Sequence, residues 1–132
     1  MYFSASALAR KIEKLACTCW KPVDLSPSHA YLLLLVIDQP GIQPTCICTQ
    51  LQLTPSTITR LIEKLEEKEL VTRTSEGKTT AVFPTQKAVD MLPRLKACQQ
   101  EFHNKQAEAI SEANCGELVH KMNRLSEEIE RK

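Results

Sequence analysis

From the first residue onward, apolar stripes of helical spacing alternate with short polar breaks. Leu8, Ile12, Leu15 and Cys19 recur at three- and four-residue steps, with Arg10, Lys11 and Lys14 between them. This predicts a first helix that ends near Trp20-Lys21-Pro22, because proline disfavours helix in the residue before it. Leu25-Ser26-Pro27-Ser28-His29 starts a second helix, with Ser26 as cap and Pro27 at the first helical position. Ala30 to Ile37 is apolar almost all round, the pattern of a helix buried mid-domain, and Asp38-Gln39-Pro40-Gly41 stops it. A short third helix from about Pro44 to Leu51, a break at Gln52-Leu53 and a fourth helix capped by Thr54 follow.

The fourth helix carries Ile58, Leu61, Ile62 and Leu65 on one stripe. At about 100° per residue, its opposite side presents Ser56, Arg60, Glu63 and Glu67, with Thr59 and Lys64 on the shoulders. Leu70 to Thr74 and Thr79 to Phe83 are β-branched runs separated by Ser75-Glu76-Gly77-Lys78, which predicts a two-stranded hairpin. Thr85 caps a long fifth helix, Gln86 to about Glu112, with Ala88, Met91, Leu92, Leu95 and Phe102 on its apolar side and a bend at Pro93. Asn114-Cys115-Gly116 marks an interruption, after which Leu118, Met122, Leu125 and Ile129 repeat as in a helix-packing seam.

The fold class expected is mainly α with a small β-hairpin wing: one unit of 132 residues with a winged helix-turn-helix over 25–85 and dimerisation helices over 1–22 and 86–132. An apolar fraction of 42% and a charged fraction of 25% exclude a disordered chain. The longest apolar stretch, Tyr31 to Ile37, is far below the roughly 18 residues of a membrane span. Met1-Tyr2-Phe3-Ser4-Ala5 lacks the basic start of a signal peptide, so the expected location is the cytoplasm, with no membrane partner. With that much Leu, Ile and Val the six cysteines are not needed as staples, and reduced thiols are expected.

A formal net charge of +1 argues little for nucleic acid, so the case rests on local patterning. In a winged helix-turn-helix the second helix of the motif enters the major groove and the hairpin reaches the adjacent backbone or minor groove. Thr54, Pro55, Ser56, Thr57 and Thr59 bring short hydroxyl groups to a helix N-terminus, where the dipole favours an anion. Arg60 supplies a fork for guanine or phosphate and Lys64 a point charge one turn on. Glu63, Glu66 and Glu67 confine contact to the first two turns, and Arg73, Lys78, Thr79 and Thr80 are the donors of the hairpin. The partner expected is double-stranded DNA. The rival reading is a winged-helix protein-interaction module without DNA binding, favoured by the near-neutral charge and acidic back half of the fourth helix.

Leu25-Ser26-Pro27-Ser28, Pro40-Gly41-Ile42, the run Thr54 to Glu66 and Leu70-Val71-Thr72-Arg73 resemble, in order and spacing, the multiple-antibiotic-resistance regulator (MarR) family. The resemblance spans essentially the whole chain, and Ser-Thr-Ile-Thr-Arg-Leu-Ile-Glu-Lys-Leu is its most specific part. It implies a triangular homodimer in which the first, fifth and sixth helices interlock and two winged domains bind a pseudo-palindrome. Family members usually repress, and release DNA in response to a small molecule, metal or oxidant. Three departures stand out. Gln52 and Glu69 occupy positions where the family has glycine, and the short wing lacks the Asp-x-Arg pattern at its tip, leaving Lys78 as the substitute.

Cys17 and Cys19 are the candidate redox sensor, since Lys14 and Lys21 would lower a thiol pKa there. Residues two apart on a helix point about 200° from each other, so neither Cys17/Cys19 nor Cys46/Cys48 chelates one ion. Cys48 is expected as a small buried thiol, Cys46 as exposed, and Cys98 and Cys115 among packing positions. His29, His103 and His120 are isolated. With no Gly-rich phosphate loop and no triad spacing, no metal, no cofactor and no enzymatic activity are expected.

Overall fold

Helix α1 spans Tyr2–Trp20 in a computed structural model that describes residues 1–110 and 112–131, with the backbone alone described at residues 76 and 112–114. It tightens into a 3-10 turn, Lys21–Val23, with Pro22 inside it, and Asp24 closes that turn in the left-handed region at φ +55°. Helix α2 (Pro27–Asp38) starts where local chemistry places it. Ser26 Oγ accepts the His29 N–H at 3.4 Å and Pro27 takes the first turn, where no N–H is needed. Helices α3 (Pro44–Leu51) and α4 (Pro55–Glu67) follow, then strands β1 (Val71–Glu76) and β2 (Thr79–Pro84), and helices α5 (Gln86–Asp90), α6 (Leu92–Ala109) and α7 (Glu112–Glu130).

The chain divides into two compact units, Met1–Gln99 and Gln100–Lys132. In the first, Trp20, Leu32, Leu33, Val36, Ile47, Ile58, Ile62, Leu65, Val82 and Leu95 are sealed from solvent, so every helix from α1 to α4, the hairpin and α6 contribute to one core. Each such side chain contributes about 1.5–3 kcal/mol relative to exposure. Trp20 packs edge-on against Tyr31, with ring centroids 5.3 Å apart, and its indole N–H has no hydrogen-bond acceptor among the described residues. On α1 the stripe is buried only toward its end. Cys19 is covered, whereas Leu8 and Ile12 remain 50% and 38% exposed.

The hairpin is sewn to the helical part along β2. Gly41 N–H donates to Val82 O at 2.8 Å and Val82 N–H to Ile42 O at 3.0 Å, an antiparallel bridge that the two-stranded expectation missed. Gly41 is needed here twice over: its φ is +87°, and a Cβ would lie 3.3 Å from the ring of Phe83.

Three expectations are corrected. The hairpin turn is two residues, Gly77-Lys78, because Ser75 pairs with Thr80 and Glu76 with Thr79. Gly77, at φ +63°, takes the first central position that a glycine-first hairpin turn requires. The long helix expected from Gln86 is divided at Met91, because Pro93 offers no N–H to the preceding turn and instead sits in the first turn of α6. The interruption placed at Asn114-Cys115-Gly116 lies earlier, since α7 already runs from Glu112 and continues through Cys115 and Gly116.

In the second unit, α7 carries Leu118, Met122, Leu125 and Ile129 at four-, three- and four-residue steps, between 37% and 60% exposed. Its other positions hold intrahelical pairs such as Lys121 Nζ–Glu117 Oε1 at 3.2 Å. No helix among the described residues is long and apolar enough to cross a membrane.

Candidate nucleic-acid interface

Helix α4 is held as the sequence predicts, by its apolar stripe. Ile58, Leu61, Ile62 and Leu65 are all buried, which fixes the helix's rotation and turns Ser56, Thr59, Arg60, Glu63, Lys64 and Glu67 outward. The turn before it, Gln52-Leu53, is closed by Leu53 N–H to Cys48 O at 3.2 Å. Gln52 supplies the left-handed residue at φ +55°, and Glu69 does the same after α4 at φ +60°. The two positions where the family has glycine therefore keep the glycine-type backbone, with the strain borne by a non-glycine residue.

The hydroxyl groups at the helix start are engaged with one another. Thr54 Oγ1 accepts the Thr57 N–H at 3.4 Å and lies 2.9 Å from Thr57 Oγ1 and 3.4 Å from Ser56 Oγ. Thr59 Oγ1 donates back to Pro55 O at 2.9 Å. Thr54, Thr57 and Thr59 thus build and stiffen the N-terminus, and Thr54, Ser56, Thr59 and Arg60 are all exposed there. Pro55 occupies the first turn without requiring a bond.

The four cations singled out in the sequence fall into two kinds. Arg73 Nη2 lies 2.7 Å from Glu66 Oε1, and Lys64 Nζ lies 3.4 Å from Glu67 Oε2. Arg60, exposed on the first two turns of α4, and Lys78, at the hairpin tip, form no ion pair among the described residues. Thr79 follows Lys78 and pairs with Glu76 across the turn. Sequence reasoning missed the Glu66–Arg73 pair, for which opposite charge seven residues apart through a turn is too weak a signal.

Behind α4, Lys68 Nζ donates to Asp24 O at 3.3 Å, and Lys87 Nζ to Lys68 O at 3.0 Å, a cation on the carbonyl end of the helix. His29 bonds Ser26 Oγ through Nδ1. Partial burial, reinforced by the charges of Lys68 and Lys64, holds its imidazole below the ordinary histidine range.

The expected activation of Cys17 is reversed. Desolvation and the Glu13 carboxylate, one turn back on the same helix and 3.5 Å from Cys17 Sγ, push the thiol above its ordinary range. Cys19 is buried. Cys46 is exposed as expected, but Cys48 is half-buried, since Ile47 takes the core position of α3. Cys98 is buried and Cys115 half-buried. Among the described residues no three of His, Cys, Asp and Glu stand together in a way that could hold a metal ion.

The comparisons with known proteins converge on one fold. Residues 23–79 match the sequence model of the MarR family. No curated protein matches the sequence. Among solved structures, the S. aureus MepR–DNA complex superposes with a TM-score of 0.80 at 15% identity, covering 97% of this chain and 97% of that one. A putative MarR family transcriptional regulator from Listeria monocytogenes, complexed with 26mer DNA, gives 0.78 at 19%, covering 98% and 88%. CouR from Rhodococcus jostii RHA1, bound to p-coumaroyl-CoA, gives 0.74 at 23%, covering 96% and 88%. On these grounds the winged helix-turn-helix of residues 23–79 matches the MarR family, and the chain that carries it has the fold of the solved MarR regulators.

Proposed function

We propose that this chain is a sequence-specific DNA-binding transcriptional regulator, a homodimeric repressor that binds a pseudo-palindromic operator and responds to a small molecule. The observation that carries the reading is Arg60, exposed and without an ion pair among the described residues, on the outward face of α4's first two turns, next to a helix N-terminus built from Thr54 to Thr59. A guanidinium there is suited to the forked contact with guanine, and Lys78 at the tip of the wing to a phosphate. The DNA complexes of similarly folded MepR and of the Listeria regulator support this partner. The exposed apolar stripes of α1 and α7 support residues 1–22 and 86–132 as dimerisation helices. A small molecule is favoured over an oxidant as effector, because desolvation and the Glu13 carboxylate push the Cys17 thiol up, which disfavours its thiolate.

Selection of bound duplexes from a random pool, followed by titrations of wild type, Arg60→Ala and Lys78→Ala across salt concentrations, tests the reading. Arg60→Ala should cost about 1–3 kcal/mol and relax preference at one position per half-site. Lys78→Ala should weaken all sequences alike and lower the salt slope by about one per half-site. Unchanged affinity in both folded variants, or binding to a protein partner with little salt response, would favour the interaction-module reading instead.

A further inference from the structure

Strand β1 enters the hairpin with Val71 buried, and alternation puts Arg73 on that same face, directly across from the sealed Val82. Arg73 is therefore presented to the body of the domain and not away from it. There its guanidinium meets Glu66 on the last turn of α4 at 2.7 Å, with both side chains about one-third exposed at 36% and 31%. On the opposite strand, the same register position is held by the backbone bridge between Val82 and Ile42. The root of the hairpin is thus clamped on both edges at one level. Beyond it only Thr74↔Ala81, Ser75↔Thr80 and Glu76↔Thr79 continue to the tip. Those residues project about 10 Å past the clamp at 3.3 Å per residue.

Given the DNA-binding reading above, on which this rests, we infer that Glu66 and Arg73 form a tether that fixes the wing's angle to the recognition helix α4, making Arg73 a positioning residue and not a phosphate contact. One strand edge is held by backbone bonds and the other by this ion pair. Breaking the pair frees β1 to pivot about the Ile42↔Val82 bridge, which changes the separation between Lys78 at the tip and Arg60 on α4.

Arg73→Met, Glu66→Gln and the double variant, titrated against the selected duplex at several salt concentrations, test the inference. Each single variant is expected to weaken binding by about fivefold. The double variant should be no weaker than either single one, because the two side chains act as one unit. The salt slope should stay at the wild-type value, and Arg73→Lys should recover part of the affinity. In the absence of DNA, backbone amide exchange at Thr74, Ser75, Thr80 and Ala81 should quicken in both single variants, whatever the partner of the wing. The tether is overturned if Glu66→Gln binds DNA as well as or more tightly than wild type while Arg73→Met lowers the salt slope by about one per half-site, the signature of a phosphate contact. It is equally overturned if neither variant alters exchange. A wild-type chain that selects no duplex would instead remove the DNA-binding reading, leaving the exchange measurement to decide on the tether.

Discussion

Replacing Glu69 by glycine should stabilise the fold, and the structure lets the gain be apportioned. Glu69 follows α4 at φ +60°, where its N–H reaches Glu66 O at 2.9 Å and the Leu70 N–H reaches Leu65 O at 2.9 Å. This paired closure of a helix end needs a left-handed residue. Glu69's side chain is exposed and makes no hydrogen bond or ion pair among the described residues, so truncation removes no contact. Relief of an L-residue from the left-handed region is worth about 1–2 kcal/mol. Glycine's greater freedom in the unfolded chain takes back about 0.5–1 kcal/mol, which leaves a net gain of about 0.5–1 kcal/mol. A second term adds to it: the Glu69 carboxylate sits at the negative end of the helix dipole, at a cost of about 0.3–1 kcal/mol. Glu69→Ala separates the two, removing the charge and keeping the strain. Urea unfolding of wild type and both variants at one fixed protein concentration is the assay, with equal m-values required for comparison. Glycine should exceed alanine by about 0.5–1 kcal/mol, or about 2–4 °C in Tm for a chain of this size. If alanine stabilises as much as glycine, the strain argument is wrong and the charge accounts for the whole effect.

Leu125→Glu with Ile129→Glu places two charges on the exposed stripe of α7 and should convert the proposed dimer to monomer in sedimentation, and a dimer that persists would place the interface elsewhere. Because folded His29 binds its proton less readily than the unfolded chain does, stability should fall as the pH drops through the ordinary histidine value of about 6.5, and level off below the depressed folded value. His29→Gln should remove that part of the loss, and a variant with the wild-type urea midpoints at pH 7.5 and 5.5 would refute the assignment. Mild peroxide should leave DNA affinity unchanged in wild type, since the Cys17 thiol is pushed up, and a reversible loss abolished by Cys17→Ser would overturn this.

Where structure is dictated by neighbours in sequence, it was legible from the residues alone. Ser26, Thr54 and Thr85 each accept the N–H three residues on, and each begins a helix where the capping argument places it. The stripe of α4 likewise fixed which residues face outward. Features decided across the fold were not legible. Gly77-Lys78 became the turn only because six register pairs drew Ser75 and Glu76 into the strand. Gly116 looked like a stop, yet an exposed helix such as α7 carries a glycine at a cost of only about 1 kcal/mol. Among the candidate site residues, Arg60 and Lys78 are exposed, while Arg73 was drawn to Glu66 and Cys17 came under Glu13, partners that charge composition does not reveal.

The hairpin's anchorage at one end decides where this chain tolerates insertion. Sliding β2 by one residue at Val82 would carry that sealed side chain to the outer face and break the bridge to Ile42, so the root admits no change in length. The tip follows a different arithmetic. One residue added to each strand beside Gly77-Lys78 preserves every pair from Val71↔Pro84 to Glu76↔Thr79 and lengthens the wing by about 3.3 Å, whereas a single added residue forces a bulge. Wing length can therefore be altered in even steps, by evolution or by design, while the core beneath stays the same.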